Sequence, residues 1–235
     1  MLIKPEYAAL AAIINRLPMI RPGPRVFNQY HEEASGSAYR RGNLALYLTK
    51  MFEFKPRVLI VGEAPGFTGT RQSGIPFTSE AIMLRGLKNW DLFGTAYRYR
   101  QTSGVPGGWQ DRAASTVWSI LEESLHLPLL WYCFPCHPHR EGQEESYRSP
   151  SEWEMEVGVG FVMELEQVFE FDRIVPVGER VATTLCKHEV KAVDPVDNPL
   201  RVGKERFGRQ LMPHLERYAE NKEDLLNRDN RLKMY

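Results

Sequence analysis

The chain has 235 residues, 43% of them hydrophobic and 26% charged, enough for one sizeable α/β core and too short for two. No apolar run reaches the roughly 18 residues a membrane-spanning helix needs, and three cysteines argue against a disulfide framework and for the cytoplasm. Thirty basic and thirty acidic residues cancel, so no overall basic footprint announces a nucleic-acid partner.

In chain order, residues 4–17 read as a first helix, with Leu10, Ile13, Ile14 and Leu17 at helical spacing. Glu6 and the lack of a small-residue cleavage site make this an amphipathic helix rather than a signal peptide. A proline-rich loop follows, then a helix over about 38–52 lined by Leu44, Leu48 and Met51. Val58 to Val61 is a short continuous apolar run, the composition of a strand buried on both faces. It stops at Gly62, and Glu63-Ala64-Pro65-Gly66 follows at once. Glycines on both sides of this tripeptide allow a sharp turn and a close approach to a ligand. A carboxylate therefore stands at the carboxyl end of a parallel strand, where open α/β sheets bind their ligands. Gly74-Ile75-Pro76-Phe77 offers a second tight turn carrying an aromatic ring, and Thr78 or Ser79 caps a helix predicted over 80–90.

Tyr97-Arg98-Tyr99-Arg100 then interleaves aromatics with cations in a glycine-rich loop, a pattern of single-strand-binding grooves but more often of a half-buried strand or loop whose arginines point to water. A helix over 111–125 leads to a second buried strand, LPLLWYCFP. Ser149, Pro150 and Glu152 suggest a capping box opening a helix over 151–171. The strand RIVPVG, a helix through Val181 and Leu185, a weaker strand VKAVDP and a last helix from about Gly203 complete the chain, ending in a charged tail expected to fray. Strands alternating with helices predict one domain over 1–235, a three-layer α/β sandwich with a central, mainly parallel four-stranded sheet. Charge is uneven along it: 67–112 holds six basic and three acidic residues, whereas 141–172 holds ten acids and one arginine.

The GEAPG loop followed by GIPFTSE resembles the uracil-DNA glycosylase superfamily, closest to its branch that often carries an iron–sulfur cluster. The resemblance spans roughly residues 25–215. A second family motif, Asn-Ala-Phe-Pro-Trp-His-Pro-His followed by Asn-Arg-x-Pro, is matched by Tyr132-Cys133-Phe134-Pro135-Cys136-His137-Pro138-His139 and Tyr147-Arg148-Ser149-Pro150. A third, a His-Pro pair near the last strand, is matched by Asp194-Pro195. The resemblance implies a DNA glycosylase that flips a base out of DNA and hydrolyses its glycosidic bond. On that basis Glu63 and Asp194 are the catalytic carboxylates, and Ala64, Phe77, Tyr132, Tyr147, His137 and His139 bind the base, with Phe77 stacking on it. Arg71, Arg148, Arg201 and Lys204 contact DNA, and Leu200, stiffened by Pro199, is the wedge that fills the vacated stack.

Two family asparagines are tyrosine here and the histidine is aspartate. An ionised aspartate cannot donate to a departing base as histidine does, so the expected substrate is a non-uracil or modified pyrimidine, a hypermodified cytosine of phage DNA being one version. No lysine lies in the matched motifs, so Schiff-base chemistry and strand cleavage are not expected. The rival readings are a catalytically inactive DNA-binding relative, a conventional uracil repair enzyme, and an N-glycosidase acting on free small molecules. No metal or other cofactor is expected. Cys133-x-x-Cys136-His137 matches a haem-attachment pattern but sits in a strand, a zinc set with Cys186 and His188 has unsuitable spacing, and a four-thiolate cluster exceeds the three cysteines available. A monomer is expected.

Overall fold

The structure is a computed structural model that describes residues 4–217; the charged tail lies outside the described residues. Its elements are helix α1 (Pro5–Arg16), strand β1 (Val26–Phe27), α2 (Ser37–Phe54), β2 (Val58–Gly62), α3 (Thr70–Ser73), α4 (Glu80–Arg85), α5 (Arg112–Leu121), β3 (Leu129–Tyr132), β4 (His137–Pro138), α6 (Glu152–Phe169), β5 (Arg173–Pro176), α7 (Glu179–Lys187) and α8 (Pro199–Glu216). The central sheet is parallel, in the order β3-β2-β5. β2 is buried at all five positions because both its faces are covered by helices. The crossovers β2-to-β3 and β3-to-β5 run in opposite directions, and their right-handedness puts α5 and α6 on opposite faces. α8 packs on α5, and α1 packs on both α2 and α6. The unpaired edge of β3 is buried, and the Leu130 N–H there donates to the Tyr47 hydroxyl at 2.9 Å.

The expected fourth strand is not formed. Val193 N–H donates to Ile174 O at 2.9 Å and Val196 N–H to Pro176 O at 2.9 Å, leaving one isolated parallel bridge, Val177 to Val196. Three residues on the outer segment thus span two on β5, and Pro176 has no N–H to donate between them. The result is an extended edge segment rather than a strand. The helix predicted over 80–90 also ends early, at Gly86, whose φ of 78° breaks it before a short 3-10 turn over Lys88–Trp90. The N-cap of helix α6 lies two residues later than predicted. Ser151, not Ser149, is its N-cap, and Ser151 and Glu154 make the reciprocal capping box. Both serines have a glutamate three residues on. The second wins because Glu154 is also gripped by both arms of Arg148, at 2.6 and 2.7 Å.

Candidate active site

A cavity of about 250 Å³ opens at the carboxyl ends of β2 and β5. This is where the strand order reverses, the place ligands occupy in such sheets. Gly62, Glu63, Ala64, Phe77, Tyr132, Tyr147, Asn198 and Leu200 are among the residues lining it. Glu63 leaves β2 with its backbone still paired, since Cys133 N–H donates to Gly62 O at 2.7 Å and Phe134 N–H to Glu63 O at 2.9 Å. One of its carboxylate oxygens accepts from the Tyr147 hydroxyl at 2.7 Å and, more weakly, from Ser149 at 3.4 Å. The other is paired with Arg180, whose second arm donates to Pro150 O at 2.8 Å. Partial burial, and then the neighbouring Glu63 carboxylate, push the Tyr147 phenol above its ordinary range, so it stays protonated and donates.

The aromatic floor differs from the expectation. Phe77 and Tyr132 stack on each other, with centroids 4.5 Å apart and planes 21° apart, so one face of Phe77 is already taken. Gly62 makes this possible. A β-carbon there would sit 2.8 Å from two Tyr132 ring atoms and would overlap the Phe77 ring. The Phe77 backbone is itself in the left-handed region, at φ 51°, a conformation costing about 1–2 kcal/mol for a residue with a side chain. Its turn is held by Thr78 N–H to Ile75 O at 3.2 Å, by Ser73 Oγ to Thr78 O at 2.6 Å and by Thr70 Oγ1 to Ile75 O at 2.8 Å. The Tyr132 hydroxyl lies in hydrogen-bonding reach of Thr70 and the Phe77 backbone. Burial and nearby Asp111 push its phenol upward as well. Tyr132 therefore acts as part of the floor.

Several residues expected at the site lie elsewhere. Asp194 is exposed and does not line the cavity. It sits on the irregular edge segment, where it acts electrostatically on His214, a residue in contact with Arg173 at the amino end of β5. The segment holds two residue-proline pairs, and the one that reaches the cavity is Asn198-Pro199. His137 and His139 are buried outside the cavity on the small β1–β4 ribbon, where His137 faces Phe27. Both ring nitrogens of His137 lie 2.9 Å from backbone carbonyls, those of Pro65 and Glu144, so the histidine ties the glutamate loop to the Tyr147 loop. Burial lowers its pKa, with the carbonyl contacts opposing. Arg71 is 7% exposed, sandwiched between the rings of Phe27 and Phe67 at 4.1 and 4.4 Å and paired with Glu144 at 2.8 Å. Arg148 is spent on Glu154 and on the carbonyls of Arg25, His139 and Ser149. Neither arginine is placed to hold a phosphate chain.

Leu200 stands at the mouth, 54% exposed. Its turn is pre-set: Asn198 caps it by accepting from Leu200 N–H at 2.9 Å, Pro199 takes the first helical position, and Gly203 at φ 78° kinks α8 just beyond. Arg201 is exposed with no ion pair among the described residues, whereas Lys204 is paired with Glu123 at 3.0 Å. Three cavity or near-cavity residues escaped the sequence reading: Asn198, Arg180 and Asp111. Arg180 is the second residue of the helix after a strand-ending glycine and Asp111 caps one after a glycine-rich loop, so both carried a positional signal. Cys133 and Cys136 are buried and Cys186 is exposed. Among the described residues, no three His, Cys, Asp or Glu side chains gather as a metal site, and no helix is long and apolar enough to cross a membrane.

No protein-family model and no curated protein matches the chain. Among solved structures, it is similar to the crystal structure of wild-type Pedobacter heparinus SMUG2, with a TM-score of 0.59 over 93% of this chain and 98% of that one. Sequence identity is 11%, so what the two chains share is a fold.

Proposed function

We propose that the protein is a monomeric, cytoplasmic, monofunctional DNA glycosylase that excises a flipped, non-uracil or modified pyrimidine and leaves an abasic site. The observation that carries this reading is the meeting in one cavity of the Glu63 carboxylate, an aromatic floor and an exposed leucine at the mouth. The fold likeness to SMUG2, of the uracil-DNA glycosylase superfamily, supports it. Glycosidic cleavage develops positive charge on the sugar, and a carboxylate held beside it lowers that energy. Tyr147 and Arg180 hold the Glu63 carboxylate in place. The same carboxylate is the group that orients the attacking water. The departing base needs a donor, and Asn198 supplies one: its amide oxygen is used in capping, while its NH₂ has no partner among the described residues. Asn198 thus supplies the donor that Asp194, matched in sequence to the family's histidine, cannot.

The test is incubation with duplexes bearing uracil, modified cytosines or phage DNA, followed by alkali to cleave abasic sites. Release of a modified pyrimidine in preference to uracil is expected, and no abasic sites from any of these substrates would refute an enzymatic role. Replacing Leu200 with alanine should slow excision from duplex about tenfold, consistent with a wedge that offsets part of the few kcal/mol of base flipping. Single-stranded substrate should be affected little. Equal loss on both strands would remove the wedge assignment.

A further inference from the structure

The cavity contains a second carboxylate besides Glu63, that of Asp111. It reaches the wall because the opposite loop is made of glycine. A β-carbon on Gly69 would lie 3.2 Å from the Asp111 carboxyl carbon, and one on Gly66 would lie 3.9 Å from its Oδ2. The side chain is held from both ends. Oδ1 accepts from Ala114 N–H at 2.8 Å as the N-cap of α5, and Oδ2 accepts from the Thr68 hydroxyl at 2.7 Å. A carboxylate has about four lone-pair sites, so each oxygen can accept once more. The two hydroxyls beside it are already spent as donors. The Thr70 hydroxyl donates to Ile75 O, and the Thr68 hydroxyl donates to Asp111 itself.

Such a wall discriminates between base edges. The edge of uracil or thymine presents O4, an acceptor, which a carboxylate repels. The edge of cytosine presents an exocyclic amino group, a donor that Asp or Glu accepts from. We propose that Asp111 is the specificity-determining residue of this cavity, accepting a hydrogen bond from the 4-amino group of a cytosine-type base and rejecting its 4-oxo counterpart. The proposal rests on the glycosylase reading for its chemistry, but the preference it assigns is one of binding and is measurable without turnover.

Asp111→Asn tests it. Asparagine caps a helix as well as aspartate does, so the fold should hold, and an unchanged thermal midpoint checks this. The amide can place an N–H where the carboxylate placed only lone pairs. Two oligonucleotides differing at a single base, 5-hydroxymethylcytosine against 5-hydroxymethyluracil, serve as probes. The wild type should favour the amino base in kcat/KM, and the substitution should shift the ratio toward the oxo base by about ten- to a hundredfold. In a Glu63→Gln background, the binding preference for the same oligonucleotides should shift in the same direction. Base release in which both substrates fall equally on Asp111→Asn overturns the assignment while leaving the glycosylase reading intact. Absence of base release, with an amino-over-oxo binding preference that depends on Asp111, overturns the glycosylase reading instead. No binding preference in the Glu63→Gln background, or none altered by Asp111→Asn, sinks the proposal.

Discussion

Replacing Glu63 with glutamine should lower the rate of base excision by about 10²–10³, the loss typical when one preorganised electrostatic group is taken from a transition state. Glutamine keeps the shape, and its carbonyl still accepts from Tyr147, but it carries no charge to set against a positive sugar. DNA affinity should change little, because the sugar is neutral before the bond breaks. Stability should hardly move either. The partner Arg180 keeps about half of its side chain exposed, and pairs of that kind contribute about 0–1 kcal/mol. Single-turnover rates on a released substrate, beside a binding isotherm for the same duplex, separate the two effects. Equal rates for wild type and variant would remove Glu63 from the chemistry.

The second large effect concerns the support of the cavity floor. Helix α6 lies directly on the backbone that leaves β3, and Gly158 is the point of contact. A β-carbon there would fall 2.5 Å from the Cys133 carbonyl carbon and 3.1 Å from Phe134 Cα, and would overlap the Cys133 carbonyl oxygen. Alanine gains roughly 1 kcal/mol of helix propensity over glycine, but the helix must retreat from the strand, at about 3 kcal/mol for overpacking of this severity. The net loss of about 2 kcal/mol corresponds to a fall of roughly 4–8 °C in Tm for a chain of this size. Gly160 is the control within the same helix, since a β-carbon there meets nothing within 4 Å. Gly160→Ala should raise stability by up to about 1 kcal/mol. If both substitutions stabilise, α6 does not rest on Cys133. Because Cys133 follows Tyr132, Gly158→Ala should also slow excision by disturbing the ring stacked on Phe77.

The strands of the sheet were legible because continuous apolar runs between turn residues have few alternatives. Val58–Gly62, Leu129–Tyr132 and Arg173–Pro176 all lie within such runs. Glu63 was legible for a related reason: a strand end flanked by glycines leaves its acid side chain at the sheet edge. The fourth strand failed because propensity does not register that Pro176 lacks the N–H needed to bond it. The choice between Asp194-Pro195 and Asn198-Pro199 failed because it turns on how far an extended segment runs beside β5 before turning, which is a matter of register. The cations failed for want of knowledge of their partners. Arg71 meets Glu144 across 73 residues and Arg180 meets Glu63 across 117, and local sequence cannot say whether a cation is spent inside the protein or left for a phosphate.

Sequence by itself therefore determined the α/β class and the carboxylate at the head of the cavity, both consequences of local pattern, and pointed to the leucine at its rim through the family resemblance. Tertiary structure decided which charges remain free, that Tyr132 lies against Phe77, and that Asp111 rather than Asp194 is the second acid in the cavity. The physical reason is that hydrogen bonds, ion pairs and ring contacts act over a few ångströms in space, whatever the distance along the chain.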